Sequence, residues 1–152
     1  MYSLLFPVHS LFRWMVLISL LYAIIRAFRG YYSGAVFSAH DNKVRHWTAT
    51  IAHIQLILGM IVYIKSPVVR YVTTDTSGHL VNESVFFRYV HIALMMGAIA
   101  VITAGSALAK RKAGDREKYL TMLRWFGLGL LIILVAIPWP FSPLAQRPLI
   151  RF

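Results

Sequence analysis

Apolar residues fall into four long blocks along this chain, separated by short polar stretches. A helix needs about 20 apolar residues to cross the hydrocarbon of a bilayer. Blocks at 8–28, 46–64, 85–109 and 119–137 come close to or exceed that length, so the pattern predicts four membrane-crossing helices. Pro7 suits the start of the first. Pro67 stops the second, and Pro138-Trp139-Pro140-Phe141 halts the fourth where a tryptophan would sit at headgroup level. Residues 30–45 read as a polar loop and 113–118 as a charged turn. The stretch VVRYVTTDTSGHLVNES reads as an ordered external loop with a hairpin around Ser77-Gly78. Short connections make neighbouring helices antiparallel, which gives an all-α, up-down four-helix bundle spanning residues 1–152 as a single unit.

Composition supports this reading. Of 152 residues, 59% are hydrophobic and only 14% charged, far from the soluble range. Little chain is left over for a soluble domain. The N-terminal MYSLLFPVHS lacks a basic n-region and a small-residue cleavage site, so the first block reads as a retained helix rather than a signal peptide. Small residues at Ala52, Gly59, Gly97, Ala98, Ala104, Gly105, Gly127 and Gly129 would allow close helix approach in lipid.

The net charge of +11 would suggest nucleic acid in a soluble protein, but here the basic residues flank apolar blocks and meet lipid phosphates. Nucleic acid is therefore not an expected partner; the lipid bilayer is. Arg26, Arg29, Lys43, Arg45, Lys110, Arg111, Lys112, Arg116, Lys118 and Arg124 gather at one end of the bundle. Arg13, Lys65, Arg70, Arg88, Arg147 and Arg151 lie at the other. The positive-inside rule then puts both termini outside, in the periplasm of a bacterium.

Chemistry is sparse. There is no cysteine, which excludes disulfides, iron–sulfur ligation and covalent haem attachment. Phosphate-loop, nucleophile-elbow and metalloprotease motifs do not occur. The five acidic residues avoid the middle of the blocks, which argues against a carboxylate-driven pump. What stands out is His9, His53 and His91, each inside an apolar block, where an ionisable group is costly and marks a functional site by default.

His9 and His91 enter from the same side at similar depth, whereas His53 enters from the other. Each outer histidine has an arginine at helical spacing, Arg13 four residues after His9 and Arg88 three before His91. Two neutral imidazoles facing each other would ligate a haem iron, and two arginines would hold its propionates. The bland alternative carries comparable weight: each histidine is a hydrogen-bonded packing or headgroup residue. Arg13, Arg88 and Glu83 would then form an ion-pair cluster. Met95 and Met96 beside His91 admit a copper site, though methionine more often fills gaps in apolar helices. Trp14, Trp47, Trp125 and Trp139 fit an interfacial belt.

His9-Ser10-x-x-Arg13-Trp14, His53-x-Gln55 with Gly59 and Tyr63, His91 with Met95-Met96, and Ile137-Pro138-Trp139-Pro140 together resemble a family of small bacterial four-helix membrane proteins that carry the name "cytochrome B". The resemblance runs from about Tyr2 to Phe141. It implies an inner-membrane b-type haem protein with His9, His53 and His91 as the matching ligand positions. Unlike larger membrane b cytochromes, the chain lacks two histidine pairs at two depths, which speaks against a di-haem path across the membrane.

The leading expectation is thus a haem-binding electron-transfer subunit, with His9 and His91 as axial ligands to haem b and Arg13 and Arg88 on the propionates. His53 would serve a second inner site or hydrogen-bond a quinone, and a quinol would be the electron donor. The alternative is a cofactor-free accessory subunit of a larger inner-membrane complex; a copper-handling protein is the weaker third reading. Other membrane subunits are expected partners.

Overall fold

The computed structural model describes residues 2–70 and 83–140. Four helices within them are long and apolar enough to cross a membrane. They are α1 (Tyr2–Ser33), α2 (Ala39–Lys65), α3 (Phe86–Arg111) and α4 (Asp115–Ala136). One short turn, Pro67–Arg70, follows α2, and another, Glu83–Val85, leads into α3. The expected hairpin at Ser77-Gly78 and the tail beyond Pro140 lie outside the described residues.

Each helix packs on the next, and α4 closes back onto α1. The partners show that every neighbouring pair is antiparallel. Along α1 and α2, Arg26 meets Asp41, Thr48 meets Ser19, and Gln55 meets His9. Arg45 reaches Ser106 and Tyr63 reaches the backbone of Arg88 between α2 and α3. Gly105 lies against Trp125, Gly129 against Ile102, Gly30 against Tyr119, and Trp14 against Trp139. The result is an up-down bundle whose core holds Leu20, Ile102, Met122 and Phe126.

Glycine is required where backbones close in. A β-carbon on Gly105 would overlap the Trp125 side chain, and one on Gly129 would come within 2.6 Å of Ile102 Cγ1. In lipid such seams are held by packing, since burial from water drives nothing there. Gly97 and Gly127 meet open space and contribute no such seam.

The helices are longer than the apolar blocks. α1 begins six residues earlier than expected and passes through Pro7, which forfeits only one backbone bond so near a helix start. The expected loop 30–45 shrinks to a few residues, because α1 continues to Ser33 and α2 starts at Ala39. The two buried polar side chains in that stretch, Asp41 and Arg45, are answered by other polar groups of the bundle. Ser38 caps α2: its hydroxyl accepts from Asp41 N (3.2 Å), and Asp41 Oδ2 accepts from Ser38 N (3.0 Å). Asp41, only 3% exposed, also accepts from Arg26 (2.6 and 3.0 Å) and from the Tyr119 hydroxyl (2.8 Å). One carboxylate therefore ties α1, α2 and α4 together.

Arg45 is 5% exposed and is answered in the same manner. Its Nη1 donates to Ser106 O and Oγ, while Nε and Nη2 donate to Asn42 Oδ1. Replacing Asp41 with Ala would take an acceptor from the buried Tyr119 hydroxyl, the part-exposed Arg26 guanidinium and the Ser38 backbone N–H. The expected cost is about 1–3 kcal/mol, read as a lower unfolding midpoint in detergent, with Asp41→Asn losing less because one acceptor oxygen survives.

Candidate functional site

At the end of the bundle opposite Asp41, the four helices part around a mainly apolar cavity of about 150 Å³. His9 and Arg13 of α1, Gln55 and Tyr63 of α2, and His91 and Met95 of α3 line it. The lining runs from Phe6 to Val16 on α1 and from Phe87 to Ile99 on α3, about 15–18 Å along the axis at 1.5 Å per residue.

His91 owes its place to an irregularity. Residues Phe86–His91 form a π-helix before α3 becomes regular at Ile92. Such wide turns recur at functional sites, because the extra residue re-aims the side chains around it. Phe87 and His91 both line the cavity, with ring centroids 5.6 Å apart; Phe86 is fully buried and 5.9 Å from the same imidazole. The Tyr63 hydroxyl donates to the Arg88 carbonyl inside this segment (3.2 Å) and ties it to α2. His91 Nδ1 lies 2.8 Å from the Ala136 carbonyl at the end of α4. A carbonyl only accepts, so Nδ1 carries the hydrogen and, in the neutral ring, Nε2 keeps its lone pair.

His9 faces α2. Its Cε1 and Nδ1 would stand 3.1 and 3.6 Å from a β-carbon on Gly59, so the missing side chain makes room for the ring. One turn before Gly59, Gln55 Nε2 donates to the backbone carbonyl of His9 (3.0 Å). Two buried polar atoms on this wall, His9 Nδ1 and Gln55 Oε1, have no hydrogen-bond partner among the described residues. An unmet polar group away from water costs about 1–3 kcal/mol, so a site that keeps two of them is a site shaped for something else.

The other candidates separate. Arg13 lines the cavity, reaches Ser10 Oγ at 3.4 Å and stands 5.7 Å from the centroid of the Trp14 ring. Arg88 does not line it; its guanidinium lies 5.5 Å from the centroid of Tyr89. The cluster expected from Arg13, Arg88 and Glu83 rests partly on the Glu83 side chain, which lies outside the described residues. Met95 lines the cavity, whereas Met96 is 50% exposed on the outer surface of the bundle. No three His, Cys, Asp or Glu side chains converge as a metal cluster among the described residues.

His53 is held elsewhere. Because α2 begins at Ala39, His53 falls mid-helix on an exposed face, with Nδ1 2.7 Å from the Ala49 carbonyl and Nε2 3.1 Å from the Thr103 hydroxyl. Both ring nitrogens are engaged, and the cavity is not lined by it.

Sequence spacing gave the convergence of His9 and His91 but not the roles of Gln55 and Gly59, which depend on how α2 registers against α1. Beyond their place in the resemblance noted above, the signal in the residues is their i,i+4 spacing on a single helix face. No family model, curated protein or solved structure matches this chain.

Gly59→Val should displace the His9 ring and cost about 1–3 kcal/mol of stability, as overpacking usually does. Gly127→Val, where nothing lies within 4 Å of the added carbon, should leave both unchanged. Thermal unfolding in detergent, with side-chain NMR of labelled histidine, reads both effects.

Proposed function

We propose that this chain is a bacterial inner-membrane b-type haem protein that carries electrons, with both termini on the periplasmic side. The observation that supports the reading is the pair of imidazoles from two non-adjacent helices, His9 and His91, lining one apolar cavity. Bound there, a haem would supply a one-electron carrier whose iron is held from both faces by nitrogen.

The residues suit that group on three counts. His91 is oriented as metal-bound histidines are, its Nδ1–H donated to a carbonyl so that Nε2 is left for the ligand. The walls are mainly apolar and run about 15–18 Å along the axis, so a haem would enter edge-on, with the helices parting beyond the present cavity of about 150 Å³ to admit it. Arg13 offers a guanidinium to a propionate, which is the charge-assisted contact arginine makes best. Arg88 is the weaker propionate candidate, since it stands outside the cavity. His53 takes no part in this site.

In this reading the chain's own groups orient and insulate. The π-helix and Ala136 fix His91, Gly59 admits the His9 ring, and the mainly apolar lining would limit water around a bound haem. A quinol in the bilayer is the proposed electron donor, and other membrane subunits are the proposed partners. A cofactor-free accessory subunit gives no use to the open Nε2 of His91, aimed into the cavity that His9 also lines.

Detergent-purified protein should show α and Soret bands in the reduced-minus-oxidised difference spectrum. His91→Ala and His9→Ala should abolish or strongly shift them, while His53→Ala should leave them in place. A flat trace from the wild type would remove the haem reading.

A further inference from the structure

A histidine that binds a metal through one ring nitrogen almost always donates its other N–H to an acceptor, which fixes the ring and tunes its basicity. His91 has such an acceptor in the Ala136 carbonyl. His9 has none among the described residues: its Nδ1 is buried and unpartnered. If His9 ligates through Nε2, its Nδ1 must carry a hydrogen, and that hydrogen needs an acceptor in a site closed to water.

The same wall holds an acceptor in need of a donor. Gln55 Oε1 is buried without a partner among the described residues, and its amide cannot be turned over to relieve this. Gln55 Nε2 already donates to the His9 carbonyl at 3.0 Å, and a flip would set two acceptors against each other. The ring of His9 presents its Cε1–Nδ1 edge to α2, at Gly59, one helical turn from Gln55 on the same face. A surplus donor and a surplus acceptor thus occupy one seam, on residues already joined by a backbone contact.

Resting on the haem reading above, we propose that Gln55 is the positioning residue of His9, its Oε1 taking the Nδ1–H when the ring carries the iron. Gln55 touches no substrate and no iron. It acts through His9, as Ala136 acts through His91, and the two axial ligands would then be held by unlike acceptors: a side-chain amide on one face and a main-chain carbonyl on the other. The amide is the one of the two that substitution can tune.

The test compares wild-type holoprotein with Gln55→Leu and Gln55→Glu in the same detergent. The readouts are the midpoint potential by optical redox titration and haem retention against apomyoglobin as competing acceptor. Gln55→Leu, which removes the acceptor, should raise the potential and weaken haem retention ten- to a hundredfold. Gln55→Glu keeps an acceptor for the Nδ1–H though it loses the amide's bond to the His9 carbonyl, so it should retain more haem than Gln55→Leu and hold the potential at or below that of the wild type. Equal potentials in all three proteins would assign the Nδ1–H to another acceptor, such as the Leu5 carbonyl one turn back, and overturn the proposal. The same shift in both variants would reduce Gln55 to a packing residue and overturn it too. A wild type that binds no haem would sink the reading beneath it, an outcome distinct from either.

Discussion

A hydrogen-bonding group inside a lipid-embedded bundle has only the rest of the bundle to answer it, and this constraint organises both ends of the molecule. At one end it is met in full. Asp41 accepts from Ser38, Arg26 and Tyr119, and Arg45 spends its guanidinium on Ser106 and Asn42. At the other end it is left open: His9 Nδ1 and Gln55 Oε1 face each other's helices with no partner among the described residues, beside a cavity. A chain able to satisfy a buried carboxylate from three elements has the means to satisfy two more polar atoms. That it does not marks the second end as the working one.

The saturated end also explains how the open one can persist. Tyr119 rests on Gly30, Trp125 on Gly105 and Ile102 on Gly129, so α3 is clamped to α4 and α4 to α1 away from the cavity. The four helices can therefore part around a cavity near His9 without the bundle losing its register. The π-helix at Phe86–His91 completes this division, because it re-aims His91 without disturbing the regular helix that follows from Ile92.

Much of this was legible in the sequence. Four apolar blocks gave the helices and their antiparallel order, and entry from the same side placed His9 and His91 at one depth. The helix ends were misjudged where polar residues pair internally. The Ser38-x-x-Asp41 cap and Arg45 look like loop chemistry until their partners on α1, α3 and α4 come into view. A block boundary near residue 46 sets His53 one to two turns in from the inner side, apart from His9 and His91 and free for a second site. The earlier start of α2 moves it to mid-helix, where Ala49 and Thr103 take up both nitrogens. The π-helix had no signature in the residue pattern, and the Gln55–His9 contact depends on a helix register that one sequence does not encode visibly.

The central claim is that His9 and His91 hold one iron between them. Electron paramagnetic resonance of the oxidised, detergent-purified protein tests it most directly. The account predicts a low-spin ferric signal of the bis-imidazole type that disappears when either His9 or His91 is replaced. Absence of any ferric signal, or a signal that survives loss of His91, would contradict it.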